Sequence, residues 1–169
     1  MPDDLVRFAN ANIRPALGTA ELRDRLVINV RRGDYYSDPD LRAAYEMNIV
    51  AYLEEALQRV PKPPEVVVVS DDEQWCRANL SGLFHRHGLI VDYAPNDPWE
   101  NFKAVTTAKC LIGTNSSFSY WGGYVSTAID ATAVVVMPGF HKRTVHAGWA
   151  DQLDRRWQVI ESLPGGWDE

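Results

Sequence analysis

Two short segments carry the residue types that hold phosphate groups. Residues 29–35 read NVRRGDY and residues 113–123 read GTNSSFSYWGG. A guanidinium such as Arg31 is permanently charged and can bond two oxygens at once, which suits a diphosphate. Adjacent arginines at a strand end point to opposite faces, so one of Arg31 and Arg32 can enter a crevice while the other faces the scaffold. A pair of surface arginines with Asp34 as ion-pair partner is the plainer alternative, and composition alone weighs the two about equally. Residues 32–34 also spell RGD, which carries little weight as an adhesion motif in a chain with no expected secretion signal.

In the second segment a strand runs into a small polar loop and then a helix. A helix start offers free backbone N–H groups and a partial positive charge, a ready anion site. One serine there is ordinarily a helix cap. Thr114, Asn115, Ser116 and Ser117 in a row exceed what a cap needs. The loop lacks the lysine of a P-loop and the Gly-x-Ser-x-Gly of a hydrolase elbow. A third cluster, Ser70, Asp71 and Asp72, reads equally as a helix cap with a first-turn carboxylate or as part of a site. Without further carboxylates or a nucleophile nearby, a metal or phosphatase role for Asp71 and Asp72 is weak.

Elements that could position these clusters follow from the apolar pattern. Strand candidates are 26–30 (LVINV), 66–70 (VVVVS), 89–93 (LIVDY), 110–114 (CLIGT) and 133–137 (AVVVM), with 157–160 as a last one. The valine run suits a strand buried on both faces of a parallel sheet. Helical stretches fall near 48–59, 72–80, 99–108 and 117–129. Ile49, Leu53, Ala56 and Leu57 recur at helical spacing, and Pro61, Pro63 and Pro64 stop that helix before the valine strand. Such alternation predicts an α/β domain with a mainly parallel, doubly wound, Rossmann-like sheet. Ligands bind such sheets at the carboxyl ends of the strands, where all three polar clusters fall.

Bulk properties set bounds. The 169 residues are enough for one domain, read as a helical lead-in over 1–25 and the α/β domain over 26–169. With 46% hydrophobic and 24% charged residues, the chain has the balance of an ordinary globule. Its net charge of −6 gives no support to a nucleic-acid partner. The two cysteines, Cys76 and Cys110, form neither a zinc pattern nor a disulfide framework. The opening residues lack the basic and apolar regions of a signal peptide, and a cytoplasmic protein, at most peripheral to membranes, is expected.

Taken together the motifs resemble the α-1,2-fucosyltransferases, and more distantly the α-1,6- and protein O-fucosyltransferases. The first family motif reads His-x-Arg-Arg-Gly-Asp-Tyr and matches residues 29–35. A Tyr-Leu-x-x-Ala-Leu helix matches 52–57. An apolar strand with a polar end and a downstream Trp-Cys matches VVVVSDD with Trp75 and Cys76. The motif Asn-Ser-Ser-Phe-Ser-Trp-Trp-Gly matches 115–122, and VVVMP at 134–138 closes the set. The match spans roughly residues 26–140 in order.

The resemblance implies the C-terminal, donor-binding half of a GT-B fold, with the acceptor half supplied elsewhere, by a second chain or a dimer partner if not by more of the same chain. It implies transfer of fucose from GDP-fucose to a galactoside or other glycan hydroxyl, by inverting displacement without a metal or other cofactor. The donor would be held by Asn29, Arg31, Arg32, Asp34, Asp71, Asp72, Glu100, Asn101, Asn115, Ser116, Ser117 and Phe118. Arg31 would stabilise the leaving diphosphate. Asp38 and Asp40 lie near where the α-1,6 relatives place a catalytic base, although a turn around Pro39 is the stronger reading of that pair. The chain departs from the family pattern at two places: Asn29 replaces the motif histidine that helps hold guanine, and Asn101 stands where an aspartate of the α-1,6 relatives reads the guanine edge, with Glu100 beside it; another nucleotide sugar is therefore the alternative donor to GDP-fucose. The rival from another class is a non-catalytic nucleotide-sugar-binding module.

Overall fold

The computed structural model describes residues 2–17, 23–61 and 65–168. Among these residues six strands form one sheet: β1 (Arg23–Val30), β2 (Glu65–Ser70), β3 (Val91–Tyr93), β4 (Ala108–Gly113), β5 (Val134–Pro138) and β6 (Gln158–Ile160). Their order is β3-β2-β1-β4-β5-β6, and every neighbouring pair is parallel. The chain therefore winds outward from β1 in one direction and then from β4 in the other. The two halves meet between β1 and β4, the place where sheets of this kind open a crevice.

Alternation along each strand builds two cores. Leu26, Ile28 and Val30 of β1, Val66 and Val68 of β2, and Ile112 of β4 face one side. Val27, Val67, Val69 and Leu111 face the other. The valines of β2 are buried on both faces, as a central parallel strand requires. The first side is covered by α4 (Ile49–Leu57) and α5 (Glu73–Arg86), the second by α6 (Pro98–Thr106) and α7 (Ser117–Ile129). Tyr52, fully buried in α4, donates its hydroxyl to Gly113 O at 2.7 Å, tying the helix to the end of β4. At the N-terminus, α1 (Pro2–Phe8) passes through a π turn and a 3₁₀ turn that ends at Leu17. This lead-in lies on α7, with Phe8 and Trp121 rings 5.8 Å apart.

Several boundaries differ from the sequence expectation. β3 begins at Val91, because Leu89 and Ile90 serve the exit from α5. Leu89 N–H donates to Phe84 O at 2.9 Å, Gly88 takes φ 66° there, and Ile90 is left 91% exposed. α5 itself runs to Arg86, beyond the expected 80. The loop after the arginine motif holds two short helices, α2 (Gly33–Ser37) and α3 (Pro39–Tyr45). The second starts where Asp38 caps Asp40 and Leu41 and Pro39 fills the first turn. Pro63 and Pro64, and the stretch 18–22 of the expected lead-in, lie outside the described residues.

Candidate functional site

β1 delivers Asn29 and the two arginines to the carboxyl edge of the sheet. Asn29 is 5% exposed. Its Nδ2 donates to Val69 O at 3.2 Å and its Oδ1 accepts from Ser119 Oγ at 2.6 Å, joining β1, β2 and α7. Arg31 and Arg32 then diverge. Arg31 lies 2.8 Å from Asp71 Oδ2 and 2.5 Å from Asp34 Oδ1, with its guanidinium 5.3 Å from the Tyr35 ring centre. Arg32 is sandwiched between Tyr36 and Trp75, at 3.8 and 3.9 Å from their ring centres, and Nε lies 3.3 Å from Asp72 Oδ2. Cation–π stacking on two rings makes Arg32 part of the scaffold. Asp71 fixes the turn between them: its Oδ1 accepts from Arg32 N–H at 2.7 Å. A Cβ on Gly33 would sit 2.3 Å from Asp71 Oδ2, so only glycine fits beneath that carboxylate.

Arg31 and Asp71 line a cavity of about 250 Å³ together with Asn29, Asn101, Ser116 and Phe118. It opens at the carboxyl ends of β1 and β2, beside the start of α7. One wall is aromatic: Phe118 meets Phe102 edge-on at 5.7 Å. Asn101 Oδ1 is buried and has no hydrogen-bond partner among the described residues. A buried carbonyl oxygen left unpaired costs about 1–3 kcal/mol, which a ligand N–H would relieve. Glu100 does not join this cavity. It is exposed, pairs with Lys103 Nζ at 2.7 Å, and borders a separate cavity of about 720 Å³ with Arg23 and Arg25.

The start of α7 divides its polar residues among different tasks. Ser116 caps the helix, accepting from Ser119 N–H at 3.1 Å, and still lines the cavity. Ser117 is the exposed first residue of the helix. Thr114 Oγ1 accepts from Arg31 N–H at 2.9 Å. Asn115 is 1% exposed, and its Nδ2 donates to Tyr45 O at 2.8 Å and His141 O at 2.9 Å. That amide is a clamp between loops. Of the other acidic residues, Asp72 caps α5 through Trp75 N–H at 3.0 Å and Asp38 caps α3, while Asp40 is exposed.

Asn96 and Pro98 also border the cavity and escaped the sequence reading. Asp97 followed by Pro98 is a helix-start signal that places them at a strand-to-helix turn, and it was open to being read. Beyond the cavity, on the β4–β5 side, Tyr35 stacks on Tyr45 at 4.3 Å, and Tyr45 meets His141 edge-on at 5.8 Å. His141 Nδ1 lies 3.1 Å from Tyr120 Oη. Burial, and then the neighbouring Lys142, hold the His141 pKa below its ordinary value. Burial pushes the Cys76 thiol up to about 11, so it is an unreactive apolar side chain. Among the described residues no group of three His, Cys, Asp or Glu is placed to hold a metal ion. No described helix is long and apolar enough to cross a membrane.

Comparison with known proteins adds a second line of observation. The model of a family described as Glycosyl transferase family 11 matches residues 3–161. The chain is 25% identical over 141 residues to the Alpha-1,2-colitosyltransferase of Escherichia coli, covering 79% of this chain and 47% of that protein. It is 30% identical over 118 residues to the Galactoside alpha-(1,2)-fucosyltransferase 1 of Saimiri boliviensis boliviensis, covering 67% of this chain and 32% of that protein. The chain thus spans about half the length, or less, of these relatives. No solved structure matches it.

Proposed function

Since the chain belongs to glycosyl transferase family 11, we propose that it binds a nucleotide-sugar donor, GDP-fucose, and serves transfer of its sugar to a hydroxyl of a galactoside or other glycan. The observation that carries this reading is the cavity between β1, β2 and α7, where Arg31, Ser116, Asn101 and Phe118 come together. Its apolar wall and unpaired acceptor suit a flat base with N–H donors. At about 250 Å³ it takes the base end of a donor and leaves the rest along the sheet edge.

The chemistry follows from charge. As the glycosidic bond breaks, negative charge grows on the departing diphosphate. Arg31 and the free N–H groups at the start of α7, with the Ser116 and Ser117 hydroxyls, supply compensating charge in place, without a metal. Displacement by an acceptor hydroxyl on the face opposite the diphosphate inverts the anomeric centre. The hydroxyl's proton goes to a base, for which Asp38 and Asp40 are the acidic candidates in the loop after the arginine motif. One relative is named for colitosyl and another for fucosyl transfer, which supports a sugar donor of that range.

A second reading has its own support. The chain spans 47% of the colitosyltransferase and 32% of the squirrel-monkey enzyme, so the acceptor-binding part is expected beyond these residues. In that reading these residues bind the donor and require another chain, or more of the same protein, for turnover. Calorimetry with GDP, UDP, ADP and TDP, each with and without a chelator, tests donor binding. Turnover of GDP-fucose with a galactoside, alone and with candidate partner chains, separates the two readings. Failure to bind any of the four nucleotides would overturn both.

A further inference from the structure

The polar residues at the carboxyl edge fall on two sides of Arg31. On the β2 side lies the cavity with Asn101 and Phe118. On the β4–β5 side lies a different surface, built from Tyr35, Tyr45, His141 and Lys142. The two are contiguous: Arg31 lies 5.3 Å from the Tyr35 ring, Tyr35 stacks on Tyr45 at 4.3 Å, and Tyr45 meets His141 at 5.8 Å. We propose that Tyr35, Tyr45, His141 and Lys142 form the subsite for the hexopyranose ring of the donor, with Arg31 at the junction between sugar and diphosphate. This inference rests on the donor reading given above.

Four observations carry it. First, the order of strands fixes the order of groups. A nucleotide sugar is a linear string of base, diphosphate and sugar. If the base lies over β2 and β1 and the diphosphate at Arg31 and the start of α7, the sugar continues toward β4 and β5, where His141 stands three residues after Pro138. Second, the chemistry suits hydroxyls. A pyranose ring presents hydroxyls that both donate and accept, together with apolar C–H faces. His141 Nε2 has no hydrogen-bond partner among the described residues, and Lys142 Nζ has no carboxylate partner among them, lying 4.9 Å from the Tyr45 ring centre. Tyr35 and Tyr45 are partly exposed and supply the apolar faces.

Third, the surface is pre-built. Tyr45 O and His141 O are held by the same Asn115 amide, at 2.8 and 2.9 Å, and Arg143 N–H donates to Ala44 O at 2.9 Å. The end of α3 and the segment after β5 are therefore fixed to each other before any ligand arrives, which lowers the cost of ordering a subsite. Fourth, the imidazole is anchored through one ring nitrogen. Tyr120 Oη is 3.1 Å from Nδ1. Nε2 is left to a sugar hydroxyl, donating or accepting according to the tautomer.

The test compares two ligands that differ only in the sugar. Calorimetry measures GDP and GDP-fucose on the native chain and on His141→Ala, His141→Gln and Lys142→Ala. The native chain is expected to bind GDP-fucose at least fivefold more tightly than GDP. His141→Ala and Lys142→Ala should each remove most of that advantage and leave GDP affinity within twofold, and His141→Gln should keep part of it. A shift of the His141 Nε2 resonance on adding GDP-fucose, absent with GDP, supports the same conclusion. If GDP binds and GDP-fucose gains nothing, or if the variants weaken both ligands alike, the sugar subsite is wrong while the donor reading stands. If GDP itself does not bind, both fall together.

Discussion

Asp71 Oδ2 lies 2.8 Å from Nη1 of Arg31, while the other oxygen of the same carboxylate holds the backbone N–H of Arg32. One side chain from the end of β2 thus sets both the path of the loop after β1 and the direction of its guanidinium. Asp71 is half of a positioning device, and Gly33 is the other half, since it leaves the room that carboxylate occupies. Gly33→Ala should force Asp71 aside, lower stability by about 1–3 kcal/mol, and weaken GDP at least fivefold. Urea denaturation and calorimetry check this; native stability and affinity in the variant would refute the arrangement.

The two arginines should separate cleanly by experiment. Arg31→Ala is expected to cost about 1.5–3 kcal/mol of GDP binding, the size of a charge-assisted hydrogen bond, roughly a tenfold to 150-fold loss. Its melting temperature should change little, because the side chain is 37% exposed and paired near solvent. Arg32→Ala should do the reverse, losing the stack between Tyr36 and Trp75 and lowering the melting temperature. Equal effects of the two substitutions on both readouts would contradict the division of roles.

Asn101 offers a test of base selection. Its Oδ1 is a buried acceptor without a partner among the described residues, and the amide can turn over to present NH₂ instead. Selection among GDP, UDP, ADP and TDP should therefore be looser than with a carboxylate in place. Asn101→Asp is expected to raise the preference for GDP by about 1 kcal/mol, the net worth of one hydrogen bond. A native chain that accepts GDP alone, with no change in the aspartate variant, would remove Asn101 from that role.

Acidity should act in two stages. The His141 pKa is held below its ordinary 6.5, first by burial and then by Lys142, so the folded chain binds fewer protons than the unfolded chain as pH falls beneath that value. Stability should therefore decline as pH drops through the window below about 6.5, and His141→Gln should remove this stage. Burial raises the pKa of Asp154, but the hydrogen bonds from Arg156 outweigh burial and leave it below 3.8. That contribution is complete above the ordinary carboxylate range and is lost as pH falls through the lowered value. Urea midpoints measured from pH 8 to pH 3 check both stages. A midpoint unchanged between pH 7 and pH 5 in the native chain would contradict the first.

Much of the scaffold was legible because its signals are local. The valine run of β2, the apolar run of β1 and the spacing of Ile49, Leu53 and Leu57 in α4 each announce an element within a few residues. The division of Arg31 and Arg32 between crevice and scaffold follows from strand alternation. Other features depend on partners far along the chain. Nothing near Asn29 reveals that Ser119, ninety positions later, takes its oxygen. Whether Asn101 or Glu100 faces the cavity is a matter of helix phase, which α6 settles only once its packing on the sheet is known. His141 and Lys142 sit in an irregular segment without periodicity, and only the fold brings them beside Tyr45.

The Asn115 clamp has a consequence for motion. Its two amide hydrogens reach carbonyls 70 positions earlier and 26 positions later in the chain. Neither the end of α3 nor the segment after β5 can peel away without releasing that one side chain from both. The two segments should thus fluctuate as a single cooperative unit, exchanging their protected amides at a common rate although they are remote in sequence.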